Sequence, residues 1–182
     1  MKKRKVLIGV VVLLALAFSV RVYQLNTKYP QVKVVEVPRG EKSEAAKNVD
    51  FRVNSVKEYD QDSIKKHVKK ETLKFLDITE RCSFFKVNVD IENKNDKPVK
   101  FDVWMVNIEC VGYNNAHDQV LMDEWNDNWG TDMWIPAHGK LNLNLGYSVL
   151  FINTTDTIEK MKSDGLYLVY DCYPKKTEWM LF

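Results

Sequence analysis

The chain has 182 residues, with 27 Lys and Arg against 25 Asp and Glu, seven glycines and three cysteines. Five of those cations (Lys2, Lys3, Arg4, Lys5, Arg21) fall in the first 21 residues, so the remainder holds 22 cations against 25 carboxylates and is mildly acidic. The basic isoelectric point belongs to the leader, which argues against a nucleic-acid partner.

The leader couples those N-terminal cations to the uncharged run Val6–Val20. Cations kept in the cytosol and an apolar run driven into lipid are the two parts of an export or anchoring signal. Fifteen residues cover roughly 22 Å as a helix, short of a ~30 Å hydrocarbon core, and Lys5 and Arg21 can snorkel across part of the difference. Ala15-Leu16-Ala17 has the small-x-small form of a cleavage site, but no polar stretch precedes it. An uncleaved anchor is therefore favoured over a secreted, cleaved form. Everything after about Arg21 is expected outside the cell membrane, with the membrane itself as a partner through residues 1–21.

Residues 22–48 read as an extended linker, within which Val32–Val37 is open to either a strand or an extended-linker reading. They carry Pro30, Pro38-Arg39-Gly40 and the polar run Glu41–Lys47, too little apolar surface to fold alone. Residues 49–182 then form one domain with a single core. The basic stretch Lys65–Lys70 reads as a solvated face.

Strands are expected at Val49–Val56 and Leu73–Ile78. The clearest alternation is Phe85-Lys86-Val87-Asn88-Val89-Asp90-Ile91-Glu92, one face buried and one wet. A turn-forming Asn93–Pro98 cluster and the alternating Val99–Val103 follow, which together predict a β-hairpin. Beyond it the phase slips: Val99, Phe101, Val103 and Met105 share one parity, and Val106, Ile108 and Cys110 the other. A β-bulge near Trp104-Met105 would keep both sets inward. Leu141–Leu145, Leu166–Cys172 and Thr177–Phe182 complete the strands. One short helix is expected over Thr155–Ser163, capped by Thr155 or Asp156 and stopped by Gly165. Many short strands separated by turns give an all-β fold, an antiparallel β-sandwich behind an N-terminal transmembrane or signal helix.

Parity places Cys110 and Cys172 on buried faces, which makes a bridge between them the preferred pairing in an oxidising compartment, with Cys82 left over. Three buried thiols acting as small apolar residues is the competing reading. The one segment that invites a ligand is Asp123–Trp134, where Trp125, Trp129 and Trp134 stand among four carboxylates. The EF-hand order fails in every register, so calcium has little support. The indoles either contact a protein or glycan partner or cover an end of the sandwich. His67, His117 and His138 lack zinc spacing, and no nucleophile elbow, phosphate loop or dinucleotide fingerprint occurs. No catalytic residue, metal ligand or cofactor site is assigned, and the chain is expected not to be an enzyme.

Phe85-x-Val87-x-Val89-x-Ile91-x-Asn93 with Lys97-Pro98, then Ile135-Pro136-x-x-Gly139-Lys140 before an apolar strand, resembles a family of bacterial extracytoplasmic immunoglobulin-like domains of unknown function. Its members are similar in fold to a secreted mycobacterial immunogenic antigen, and many follow a lipoprotein or anchor signal in Gram-positive bacteria. Tyr29-Pro30 through Gly40-Glu41, leading into Phe51-x-Val53, resembles the family's lead-in. The resemblance implies an immunoglobulin-like sandwich and supplies no catalytic residues. The chain departs from it in lacking a lipobox cysteine and in its aromatic Trp125–Trp134 loop. The expected function is a non-enzymatic binding module at the bacterial surface. The alternatives are a structural part of an envelope assembly and, behind it, an envelope-polymer hydrolase.

Overall fold

A computed structural model describes residues 2–78, 81–127, 129–130, 132–150, 157–171 and 174–182, with side chains from Ile8 onward. The chain forms two units, divided between Lys33 and Val34. The first is the helix α1 (Lys2–Lys28), with an apolar span at Ile8–Lys28 that is long enough to cross a membrane. Its 27 residues reach about 40 Å at the helical rise. The helix thus runs well past the uncharged stretch visible in sequence. Every side chain described in it is exposed, and its apolar residues face all directions, which suits lipid and not a protein core.

The second unit begins with β1 (Lys33–Val37), β2 (Lys42–Ala46), β3 (Val49–Tyr59), α2 (Gln61–Ile64), α3 (Lys70–Leu73) and β4 (Cys82–Asn93). It continues through β5 (Val99–Asp102), β6 (Val106–Cys110), β7 (Tyr113–Asn115), α4 (Gln119–Trp125) and β8 (Asp132–Ile135). The last elements are β9 (Lys140–Leu150), α5 (Ile158–Asp164), β10 (Tyr167–Tyr170) and β11 (Lys175–Met180). The strands build a five-stranded sheet β1-β11-β10-β6-β7, a four-stranded sheet β2-β3-β4-β9 and a two-stranded sheet β5-β8. This is a β-sandwich.

The core forms where the alternating faces meet. Phe51, Val53, Val87, Val89, Ile91, Leu143 and Leu145 come from the four-stranded sheet, Val106, Ile108, Leu168 and Trp179 from the five-stranded one. The Phe51 and Trp179 rings lie 4.7 Å apart across it. A second core covers one end of the outer face of the four-stranded sheet, where Tyr59 and Phe84 pack with Ile64 of α2 and Leu121 of α4. That cover explains why Cys82, Ser83, Phe84 and Phe85 are all buried before strict alternation begins in β4.

Several expectations are corrected. The 22–48 segment is not an extended linker throughout: Val32–Val37 takes the strand alternative as β1, and the segment also supplies the end of α1 and the strand β2, the strands finding backbone partners in the sheets even though few of their side chains are buried. Leu73–Ile78 is no strand, since Leu73 ends α3 and a turn follows. The predicted hairpin does not form either. β4 pairs with β3 and β9, whereas β5 pairs with β8. The side chain of Asn93 directs this crossing: fully buried, it donates through Nδ2 to the carbonyls of Lys97 (2.9 Å), Ile135 (3.1 Å) and Pro136 (2.9 Å), tying the turn to the end of β8.

The phase slip after Val103 is real, but a 3-10 turn at Val103–Met105 makes it, nucleated by Asp102 accepting from the Trp104 N–H at 3.0 Å. A register shift does occur in β3, between Val53 and Ser55. In α5, Thr157 is the N-cap and Gly165, at φ 99°, ends the helix, while the expected caps Thr155 and Asp156 lie outside the described residues.

Candidate functional site

The three loop tryptophans differ in their surroundings. Trp125 ends α4 half-buried against the second core, 6.0 Å from the Tyr59 ring. Trp129 is half-buried against the main core, donates to Asp123 at 2.6 Å and meets the edge of His117 at 5.5 Å. Trp134 points outward from β8, opposite Lys100, and is 69 % exposed. Cys110 is buried at the end of β6, and its proposed partner Cys172 lies outside the described residues. Cys82 is a buried thiol pushed up to about 12, first by burial and then by Asp77 and Asp118, which makes it an unreactive packing residue.

An organised polar surface lies on the outer face of the four-stranded sheet. The polar halves of the β4 and β9 alternations line up there. Asp90 stands opposite Arg52 and Asn142, Asn88 opposite Asn144, and Glu92 opposite Asp50 and Lys140. Their side chains bond one another. Asn88 Nδ2 donates to Asn142 Oδ1 at 2.9 Å and Asn144 Oδ1 at 3.0 Å, and Asn54 donates to Asn88 Oδ1 at 3.0 Å. Asn142 donates to Asp90 at 2.7 Å, and Arg52 reaches the same carboxylate at 2.5 Å. Burial pushes the Asp90 carboxyl up, but the hydrogen bonds from Asn142 and Arg52 outweigh it and hold it below the usual range. Glu92 is held down by hydrogen bonds from Lys42 and Lys140.

α4 and its approach fix one border of this face. Gly146 of β9 has room only for hydrogen, since a Cβ there would lie 2.5 Å from the Leu121 Cβ. Along the β9 edge, Asn126 pairs with both backbone groups of Asn144, the Asp118 N–H bonds the Gly146 carbonyl at 2.7 Å, and Asn115 bonds that of Ser148 at 3.0 Å. Sequence reasoning had marked the alternate positions as wet. It missed their assembly because only the β3-β4-β9 register sets Asn54, Asn88, Asn142 and Asn144 side by side; the usable signal was the run of amides at alternate positions. Among the described residues no group of three or more His, Cys, Asp or Glu is arranged to hold a metal.

No protein-family model matches the chain, and no curated protein matches it. Solved structures do share its fold. A conserved hypothetical protein from Bacillus anthracis superposes with a TM-score of 0.54 at 14 % identity, covering 79 % of this chain and 93 % of that one. A candidate lipoprotein from Bacillus subtilis superposes with a TM-score of 0.50 at 15 % identity, covering 78 % of this chain but 38 % of that protein. An uncharacterized β-sandwich protein from Clostridium difficile aligns over 84 % of this chain and 97 % of its own, at 12 % identity and a TM-score of 0.47. At such identities the likeness concerns the fold alone. All three come from Gram-positive bacteria, and none transfers a site residue.

Proposed function

We propose that the chain is a membrane-tethered, extracytoplasmic binding module with no catalytic role, its contact surface being the outer face of the four-stranded sheet. The observation that carries this reading is α1. It offers a 21-residue span, Ile8–Lys28, in which a window of 18 residues has a mean hydropathy of 2.0 and no burial, behind the cations Lys2–Lys5. Such a helix sits in lipid with its cationic end in the cytosol, which leaves the sandwich outside. The description of the Bacillus subtilis neighbour as a candidate lipoprotein supports an envelope setting. The sheet face suits binding because its amides and charges stand on strands and are held in place by one another, not on a loose loop.

Two measurements test this. Protease added to intact cells that express the full chain should degrade the sandwich, and protection until the cells are broken would place it in the cytosol and overturn the reading. Full chain in detergent should be retained on isolated envelope, and absence of any retained component would remove the binding role.

A further inference from the structure

On the outer face of the four-stranded sheet, four cations hold a carboxylate. Lys42 and Lys140 pair with Glu92, Arg52 with Asp90, and Lys94 with Asp50. One rung breaks the pattern. Lys57 of β3 stands directly opposite Lys86 of β4, and neither makes an ion pair with a carboxylate among the described residues. Like charges facing each other across a strand pair are destabilising, and such local violations of good packing chemistry concentrate at functional sites.

The two ammonium groups are also held near the sheet. Lys57 Nζ lies 5.0 Å from the centre of the Tyr59 ring and Lys86 Nζ 5.3 Å from that of Trp125, and those rings are 6.0 Å apart. Burial, and then the facing Lys57, push the Lys86 ammonium below its usual value, with Glu124 acting against them. That carboxylate is already engaged by the Lys69 N–H at 3.2 Å and by the Thr72 hydroxyl. The rung lies where the helical cover ends, one step from the amides of Asn54, Asn88 and Asn144.

Resting on the binding-module reading, we propose that this ledge binds a phosphodiester-linked polyanion. A phosphate meets the ammonium groups of Lys57 and Lys86, and a neighbouring hydroxyl-bearing unit meets the exposed Asn54 amide. Ammonium groups act on phosphate as point charges, whereas planar bidentate recognition of a carboxylate favours Arg. A free polymer fits better than a lipid surface, because the indole at the ledge is half-buried beside Lys86 and not available for insertion.

The test uses full chain in zwitterionic nanodiscs and a synthetic glycerol-phosphate oligomer as the probe, at low salt. The Lys57→Gln/Lys86→Gln double variant should bind about tenfold more weakly or worse, with a shallower salt dependence. Its melting temperature should hold or rise because the facing charges are gone, which separates lost binding from misfolding. Lys140→Gln, a paired cation on the same face, should change affinity less than about twofold. Unchanged binding by the double variant, an equal loss in Lys140→Gln, or a preference for phosphatidylglycerol vesicles or an oligothymidine over the oligomer would each overturn the proposal. Wild type that is retained on envelope yet ignores the oligomer sinks this inference and spares the binding role, whereas absence of envelope retention sinks both.

Discussion

The side chain of Asn126 lies against the backbone of Asn144 as a neighbouring strand would, its Nδ2 donating to the Asn144 carbonyl at 2.8 Å and its Oδ1 accepting from the Asn144 N–H at 2.7 Å. One amide thus satisfies two groups on the free edge of β9, in the place where an exposed edge would offer a template for another chain.

Asn126→Ala therefore uncovers both groups. Expected is a loss of about 1–2 kcal/mol in urea denaturation, since partly exposed groups regain water, together with concentration-dependent association in light scattering. Asn126→Asp keeps the acceptor and loses the donor, so it should fall between wild type and alanine. Equal stability and unchanged light scattering in Asn126→Ala would show that the edge needs no cap.

Gly146 is the point where α4 touches the sheet. In Gly146→Ala the new Cβ meets the Leu121 Cβ at 2.5 Å and the Trp125 Cζ3 at 3.2 Å. Relief requires α4 to lift, at a cost of about 1–3 kcal/mol. Because Trp125 moves with the helix, its fluorescence should shift to the red under native conditions. A variant with wild-type stability and emission would mean that the contact is looser than the geometry states.

The Tyr147 hydroxyl donates to the Val106 carbonyl at 3.0 Å, joining the two sheets through the core. Tyr147→Phe should cost about 1–2 kcal/mol. Burial also pushes the Tyr147 phenol well above its ordinary 10.0. At alkaline pH the unfolded chain loses this proton while the native chain keeps it, so the native state binds more protons and stability falls as pH climbs through and beyond 10.0. The Phe variant should show a flatter alkaline limb, and an identical limb would assign the effect elsewhere.

His117 is packed between indoles, 4.2 Å from the Trp104 ring and 5.5 Å from that of Trp129, with no partner for either ring nitrogen among the described residues. Burial lowers its pKa below the ordinary 6.5, while Asp118 and Asp102 oppose that shift. As pH falls below 6.5 the unfolded chain takes up a proton before the native one, so the stability from this neutral imidazole is present above 6.5 and fades on acidification. His117→Phe should flatten the acid limb and leave stability at neutral pH unchanged or slightly higher, because it removes two unpaired polar atoms. A steeper acid limb would refute the account.

Sequence by itself determined what depends on near neighbours. The leader's composition gave an apolar helix, and the period-two pattern of Phe85–Glu92 and Leu141–Leu145 gave the buried and wet faces of β4 and β9. Gly165 marked the end of α5, and the parity change after Val103 marked a real phase shift, because backbone conformation and side-chain direction are set within a few residues.

Pairing partners were decided only by the tertiary structure. Alternation fixes which way a side chain points and leaves open which strand lies alongside. Asn93, bonded to Ile135 and Pro136 some 40 positions away, turned an apparent hairpin into a crossing between sheets. The strand β2, with the sequence Lys-Ser-Glu-Ala-Ala, likewise exists because β3 completes its hydrogen bonds. The same long-range register brought Lys57 to Lys86 and Asn88 to Asn144, since each pair is made by strands that no local pattern joins.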